Sequence, residues 1–315
     1  MDQIIQTLII GLANGLIYAL VALGYTLVYG IIELINFAHG DVFMLGSMLA
    51  FVLIAPPSNG GWGIFSIESG TPLPLLTIQI LIVLAICMAS MATLNWFIER
   101  VAYRPLRHAP KLAPLITAIG VSFILQNVGL ILGGAYQRTV DSVFPTDNLL
   151  APFGITNIVL TASQVLVAVV TIPILVALSW FVGKTRQGRA MRATAQDPDT
   201  AGLMGVDVNR TIAITFIIGG ALAGAAGLVQ ILYNNYTVYT LGVRFGLNSF
   251  TAAVLGGIGN LQGAVLGALV IGEINAISDR YVSPNWTQAI VFGILIAVLV
   301  FKPTGLLGQQ LADRA

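Results

Sequence analysis

The sequence predicts an all-α fold, a polytopic transmembrane helical bundle of about eight spans with some broken or re-entrant segments. Composition is the first reason. Apolar residues make up 57% of the 315 residues, charged residues only 9%, and the mean hydropathy is +0.91. A soluble domain usually carries about 25% charged residues. The second reason is that several apolar runs have the length of about 20 residues that a helix needs to cross a bilayer.

Two of the predicted spans are irregular. The segment 41–55 is short, and 247–278 is long but interrupted by GGIGNLQG at 256–263. Short or Gly-interrupted apolar segments indicate broken or re-entrant helices rather than simple crossings. The other predicted spans are 4–30, 74–98, 114–133, 162–182, 211–232 and 286–301.

The cations predict the orientation of the bundle. They concentrate in the connectors 99–114 and 184–210, whereas the connectors 56–74 and 135–157 hold a single cation, Arg138. By the positive-inside rule, we expect the first pair of connectors to be cytoplasmic and the second pair external.

The same rule leaves part of the topology open. Arg244 outside and Lys302 inside fit either a re-entrant hairpin or three crossings between 247 and 301. The side of the membrane on which Met1 lies is not fixed. The start MDQIIQ carries no cation, so we expect no cleavable signal segment.

The connector 184–210 is unusually long and polar for a link between two spans. Its cations Lys184, Arg186, Arg189 and Arg192 fall within nine residues. The stretch QGRAMRATAQ at 187–196 favours a short helix with Arg189 and Arg192 on one side and small or apolar residues on the others.

Stop signals divide this connector further. Asp197-Pro198 ends the first helix, because the residue before proline resists the α conformation. A second short helix is predicted at 200–204, ending at Gly205. A compact helix–turn–helix at the membrane face suits docking into a groove on a partner protein. The alternative is an ordinary basic loop that only fixes topology.

A weak internal repeat involves the two irregular spans. INFAHGDVFMLGSMLA at 35–50 and RFGLNSFTAAVLGGIG at 244–259 both follow a full span and both begin a short Gly-rich helix. Paired interrupted segments in corresponding halves are a sequence signal for a translocation path. The alternative is that both are packing helices, since Gly220 and Gly224 show that GxxxG spacing occurs elsewhere in the chain.

Few ionisable residues lie in or beside the apolar runs. Charge at the bilayer centre costs about 2.5–3.5 kcal/mol on insertion scales, so such residues normally have a role. Glu33, His39 and Asp41 fall at the junction of the first two spans, where Asp41 is either a helix N-cap or a substrate contact. Glu273 is expected to be an interfacial or interhelical partner. No span carries a row of carboxylates, which disfavours an ion-coupled transporter.

The sequence does not indicate an enzyme. Gly183-Lys184-Thr185 resembles the end of a phosphate-binding loop, but Leu178 stands where that loop needs glycine. With two histidines and one cysteine, the chain offers no metal-ligand set and no catalytic triad. The net charge of +1 gives no argument for nucleic acid.

Four stretches carry a family resemblance, in the same order and over essentially the whole chain. The chain resembles the LivH-type permease subunits of branched-chain amino-acid ABC importers. Permeases for urea and short amides share much of this pattern. The stretches are GLANGLIYALVALGYTLVYGIIELINFAHGDVFMLGSM (11–48), QGRAMRATAQDPDTAGLMGV (187–206), SFTAAVLGGIGNLQGAVLGALVIGE (249–273) and VLVFKPTGLLG (298–308).

The resemblance implies a single permease domain over 1–315 in the bacterial inner (plasma) membrane. It implies a LivM-like second permease subunit, two cytosolic ATP-binding subunits and a periplasmic substrate-binding protein as partners, besides membrane lipid. ATP and Mg²⁺ would bind to the partner subunits, and no cofactor to this chain. Transport would follow alternating access. An ion-coupled secondary transporter and a non-transporting scaffold are the other function classes, and the Gly-broken helices disfavour the scaffold.

The resemblance also assigns residues. Gln196 departs from the family, which more often has an acidic residue there. The residues implied to contact the ATPase are Gly188, Arg189, Arg192, Ala193, Ala195, Asp199, Ala201 and Gly205. The residues assigned to the substrate path are Asn36, His39, Asp41, Gly257, Gly259 and Asn260.

Overall fold

The computed structural model confirms an all-α fold. It describes residues 2–32, 36–65, 67, 71–107, 109–110, 112–145, 147–154 and 156–308. The helices are α1 (Asp2–Ile32), α2 (Ala38–Ile54), α3 (Leu73–Ile98), α4 (Leu112–Gly133), α5 (Ala162–Lys184), α6 (Arg186–Gln196), α7 (Pro198–Leu203), α8 (Val208–Asn234), α9 (Leu241–Gly256), α10 (Leu261–Tyr281) and α11 (Pro284–Phe301). Two short antiparallel strands, β1 (Arg138–Thr139) and β2 (Tyr236–Thr237), join two connectors.

Seven helices among the described residues are long and apolar enough to cross a membrane: α1, α3, α4, α5, α8, α10 and α11. The chain is therefore a multi-pass membrane protein. The short span predicted at 41–55 is α2, an apolar helix of 17 residues. The span predicted at 247–278 is two helices, because α9 ends at Gly256 and α10 begins at Leu261.

Contacts between connectors define two faces of the bundle. Arg107 Nη1 donates to Asn209 Oδ1 at 2.5 Å, which joins the connector after α3 to the start of α8. We call this end the basic face. β1 pairs with β2 at the other end of α8, which we call the opposite face. α1 also begins at the opposite face. Gln6 near its start donates through Nε2 to the carbonyl of Val159 at 3.0 Å, and Val159 lies in the connector that contains β1. The structure therefore shows that α1 begins at the face away from the basic connectors.

The C-terminal helices α9, α10 and α11 run in alternating directions. α9 follows β2 from the opposite face, and its end is held by the segment after α11. Leu306 N donates to Leu255 O at 2.7 Å, and Leu307 N donates to Gly256 O at 3.0 Å. The ends of α9 and α11 therefore lie at the same face, and α10 runs between them in the other direction. This alternation fits both the re-entrant hairpin and the three crossings, because α9 has only 16 residues and is not among the seven helices that are long and apolar enough to cross a membrane. The choice between the two stays a prediction.

The bundle contains two similar halves, α1–α3 and α8–α10. In each half a long helix is followed by a short one and then by another long one. α1 packs extensively along α10, α3 packs along α8, and the short helices α2 and α9 meet between them. The predicted repeat at 35–50 and 244–259 corresponds to these two short helices.

Small residues permit the close helix packing. Gly224 of α8 lies against the backbone of Cys87 in α3, which agrees with the packing that the GxxxG spacing predicts. Gly11 of α1 lies against Glu273 of α10, so Glu273 occupies the interhelical position expected for it. The core runs through the centre of α1, α2, α8 and α9, while α4, α5 and α11 bury little of their surface.

Candidate functional sites: the buried junction and the α6–α7 loop

The first turns of α2 and α9 meet inside the bundle, and we call residues 36–43 with 241–246 the buried junction. A Cβ atom on Gly40 would lie 2.5 Å from the carbonyl oxygen of Gly242 and 2.9 Å from the Cα of Gly246. The rings of Phe43 and Phe245 stack beside this crossing with centroids 5.2 Å apart. Glycine is required here because any side chain would overlap the facing backbone.

Asp41 lies within this junction and is only 2% exposed. Its Oδ2 accepts hydrogen bonds from Ser122 Oγ at 2.5 Å and from Gln126 Nε2 at 3.5 Å, both in α4. Its Oδ1 lies beside Gly242 and has no hydrogen-bond partner in the described part of the chain. The N-cap hypothesis for Asp41 is wrong, because α2 begins earlier, at Ala38.

The other predicted path residues of this segment are also buried. His39 is 1% exposed, and its ring packs edge-on against Tyr25 with centroids 4.9 Å apart. Asn36 Oδ1 accepts a hydrogen bond from the hydroxyl of Tyr103 at 2.7 Å. Asn36, His39 and Asp41 are therefore all buried in one segment, but they contact different partners, namely Tyr103, Tyr25 of α1 and Ser122 of α4. Glu33 lies outside the described residues.

A small cavity of about 90 Å³ opens at the junction beside Asp41. The Asp41 carboxylate and Ser122 line one part of the cavity. Backbone of Gly242 and Gly246 and the rings of Phe37 and Phe250 line the rest. The cavity thus combines one acid with an apolar surface.

A larger cavity of about 450 Å³ lies toward the opposite face along the same seam between α2 and α4. Met48, Leu49 and Val128 line it, and Arg138 lies at its outer end beside the connector after α2. Between the two cavities, Met44 of α2 packs against Gly129 of α4. The seam therefore leads from the opposite face toward Asp41.

The second group of predicted path residues lies elsewhere. Gly257 and Gly259 form the turn between α9 and α10 at the basic face, with φ of +105° and +94°. Asn260 caps α10, since its Oδ1 accepts from the backbone N–H groups of Gln262 and Gly263. Its Nδ2 donates to the carbonyl of Leu307 at 2.8 Å. The structure does not bring this group to the buried junction, and its role in transport stays a prediction.

The loop between α5 and α8 folds into two short helices, as predicted. Thr185 caps α6, accepting from the N–H of Gly188 at 3.0 Å. Arg192 donates to the carbonyls of Val182 and Gly183, which are among the free carbonyls at the end of α5. α6 is thereby fastened to the end of the preceding span.

The second helix starts earlier than predicted. α7 begins at Pro198, where the missing N–H of proline costs nothing, and Asp197 caps it by accepting from the N–H groups of Asp199 and Thr200. It ends before Gly205, which has φ of +85°, as the predicted glycine stop requires.

Two exposed apolar residues lie at the end of α7. Leu203 is 89% exposed and Met204 is 81% exposed. We call this pair the α7 tip. The sequence predictions do not include this pair, although a large apolar pair directly before a helix-ending glycine in a polar loop is a usable signal.

The predicted ATPase-contact residues divide into two sets. Four of them are exposed and four are buried or half-buried, so the first set is the more accessible to a partner, although Arg192 also binds the end of α5. The exposed residues are Arg189, Arg192, Asp199 and Gly205, and the others are Gly188, Ala193, Ala195 and Ala201.

Many membrane transport proteins are multi-pass bundles in which interrupted helices meet in the interior, as α2 and α9 do here. The family model described as "Branched-chain amino acid transport system / permease component" matches residues 7–299. The chain belongs to this family and is a permease component of a transport system.

Curated relatives cover nearly the whole chain. The chain is 39% identical to the high-affinity branched-chain amino acid transport system permease protein BraD of Pseudomonas aeruginosa, over 98% of this chain and 97% of that protein. It is also 39% identical to the permease protein LivH of Escherichia coli K12, with the same coverage. A probable LivH of Methanocaldococcus jannaschii is 28% identical over 94% of this chain. No solved structure matches.

Proposed function

We propose that this chain is one membrane subunit of an ATP-driven importer of branched-chain amino acids in the bacterial inner (plasma) membrane. The identity of 39% over 98% of the chain to proteins named as branched-chain amino acid permeases carries this proposal. The partners would be a LivM-like permease subunit, two cytosolic ATP-binding subunits and a periplasmic substrate-binding protein. ATP hydrolysis would occur on the partners, since the sequence lacks a nucleotide-binding motif.

The α6–α7 loop is the contact proposed for the ATP-binding subunits. Its inner side is fastened to α5, while the α7 tip is among the most exposed apolar groups of the described chain. An apolar anchor inserted in a pocket, with charged residues around it, is a common interface arrangement. Arg189 and Asp199 would supply that charged surrounding. The basic face would then be cytoplasmic.

The transport step proposed is alternating access. Closure of the ATPases would move α6 and α7, and the halves α1–α3 and α8–α10 would rock about the buried junction. The path would run from the opposite face along the α2–α4 seam, through Asn36, His39 and Asp41, and past Gly257, Gly259 and Asn260 at the basic face. Helix N-termini could hold the substrate carboxylate.

Copurification tests the loop contact. The chain is coexpressed with the second permease subunit and the ATP-binding subunits, as wild type and as Leu203→Asp/Met204→Asp. We expect capture of the ATPase to fall at least tenfold, because the anchor becomes charged. Leu149→Asp, at an exposed apolar position of the opposite face, is the matched control. Undiminished capture by the double variant would reject the docking proposal.

Reconstitution tests the transport class and the substrate. Proteoliposomes with the full set of subunits and the binding protein should take up leucine, isoleucine and valine only with ATP. Uptake of urea or acetamide, with no uptake of these amino acids, would indicate a permease for urea or short amides instead. Uptake by the chain alone under an ion gradient would reject the ATP-driven class.

A further inference from the structure

We infer that Asp41 binds the ammonium group of the transported amino acid in the buried junction. This inference rests on the proposed function and names the group that the substrate meets inside the bundle.

The carboxylate of Asp41 is only partly satisfied. Oδ2 accepts from the neutral groups of Ser122 and Gln126, whereas Oδ1 has no partner among the described residues. No Lys or Arg pairs with it, since the single ion pair in the described chain joins Arg107 to Glu99. A buried carboxylate without a counter-charge tends to take up a proton, and it can ionise when a cation arrives to pair with it.

The start of α2 offsets part of the cost of burying a charge at Asp41. Asp41 lies in the first turn of α2, where the helix dipole stabilises negative charge. The N-cap residue Phe37 makes no side-chain cap bond there. A cation that pairs with Asp41 would come from outside the described chain, because its one ion pair joins Arg107 to Glu99.

The cavity suits a small organic cation better than a bare metal ion. Oδ1 and Gly242 border it on one side, and the rings of Tyr25, Phe37 and Phe250 border it on another. A metal ion would require several oxygen ligands, and no group of three His, Cys, Asp or Glu residues gathers in the described part. Aromatic faces attract ammonium groups and also accept aliphatic side chains.

The seam between α2 and α4 gives this group a route of access. The 450 Å³ cavity opens toward the opposite face, which the proposed function places on the side of the binding protein. Met44 and Met48 separate it from Asp41, packed against Gly129 and Gly133. Methionine side chains are unbranched and adaptable, so they can move aside without backbone change.

The experiment uses the complete transporter in proteoliposomes with the loaded binding protein. For Asp41→Asn, we expect leucine uptake per transporter to fall at least tenfold while ATP hydrolysis stimulated by the binding protein stays within twofold. Asp41→Glu should retain more uptake than Asp41→Asn, since it keeps the charge. The control is Asp141→Asn, which removes an exposed carboxylate. Uptake by Asp41→Asn within twofold of wild type would overturn the inference.

A second measurement needs no folded variant. Isoamylamine has the ammonium group and branched chain of leucine without its carboxylate, and 4-methylpentanoate has the carboxylate and a branched chain without the ammonium. We expect isoamylamine to inhibit wild-type uptake more strongly than 4-methylpentanoate. Equal or stronger inhibition by the acid, or no inhibition by the amine, would contradict a role for Asp41. Absence of any ATP-dependent leucine uptake in wild type would instead remove the proposed function.

Discussion

The buried junction and the α6–α7 loop are both built from short helices that follow long ones, yet their surroundings are opposite. In the junction, Gly40 and Gly242 touch backbone to backbone, and Asp41 is 2% exposed. In the loop, α6 is fastened to α5, but Leu203 at the end of α7 is 89% exposed. The difference teaches that the contact between Gly40 and Gly242 has no room for a side chain, whereas the outer side of the loop is accessible to a partner.

The largest effect is expected at the crossing of α2 and α9. Gly40→Val would drive a branched side chain into the backbone of Gly242 and Gly246, and overpacking of this kind costs about 3 kcal/mol. We expect the folded protein to be nearly lost, as measured by the monodisperse fraction on size-exclusion chromatography in detergent.

The matched control is Gly293→Ala in α11, where a new Cβ would meet nothing within 4 Å. Alanine stabilises an exposed helix interior by about 0.5–1 kcal/mol relative to glycine. Its folded fraction should equal or exceed that of wild type. If Gly40→Val accumulated as well as this control, the junction would not be tightly packed.

An intermediate effect is expected where the loop is fastened to the bundle. Arg192→Gln removes the guanidinium that donates to Val182 and Gly183, and one such hydrogen bond contributes about 1 kcal/mol. We expect capture of the ATP-binding subunits to fall severalfold, which is less than for the α7 tip variant.

Arg186→Gln removes an exposed cation from the same helix and is the matched control for charge. Copurification of both variants at equal expression checks the difference. A loss of capture that is the same in both would mean that charge alone, and not the anchoring of α6, governs docking.

The smallest effect is expected at the turn between α9 and α10. Asn260→Ala removes the cap of α10 and the bond to Leu307, and loss of an N-cap costs about 1 kcal/mol. We expect the melting temperature to drop by a few degrees and uptake per folded transporter to fall less than in Asp41→Asn. Asn260→Ser keeps a capping oxygen and should recover part of the stability. A larger loss of uptake than in Asp41→Asn would place the narrow part of the path at this turn.

Local signals predicted the loop well. The first helix, expected at 187–196, is α6 at Arg186–Gln196, and the proline at 198 and the glycine at 205 divide and end the helices as expected. These features depend on neighbours in sequence. The exposure of Leu203 and Met204 was not predicted, because it depends on how α6 is fastened to α5.

The junction was predicted only in part. The segment around Asp41 was recognised as a broken helix, but its partner Ser122 is distant in sequence and no periodicity joins the two. The start of α9 was placed too late, because Arg244 and two glycines in LGVRFG hide the first turn from a search for apolar runs. The Gly257–Asn260 turn and the segment around Asp41 were grouped because both are Gly-rich interruptions of an apolar run. Their separation in space depends on helix packing, which the sequence pattern does not show.

The most direct test measures ATPase capture and leucine uptake in the same preparations of Asp41→Asn and of Leu203→Asp/Met204→Asp. If the junction binds the substrate and the loop binds the ATPase, Asp41→Asn should still capture the ATPase but lose leucine uptake. The loop variant should lose both ATPase capture and leucine uptake. Normal uptake in Asp41→Asn, or normal capture by the loop variant, would contradict the separation of the two sites.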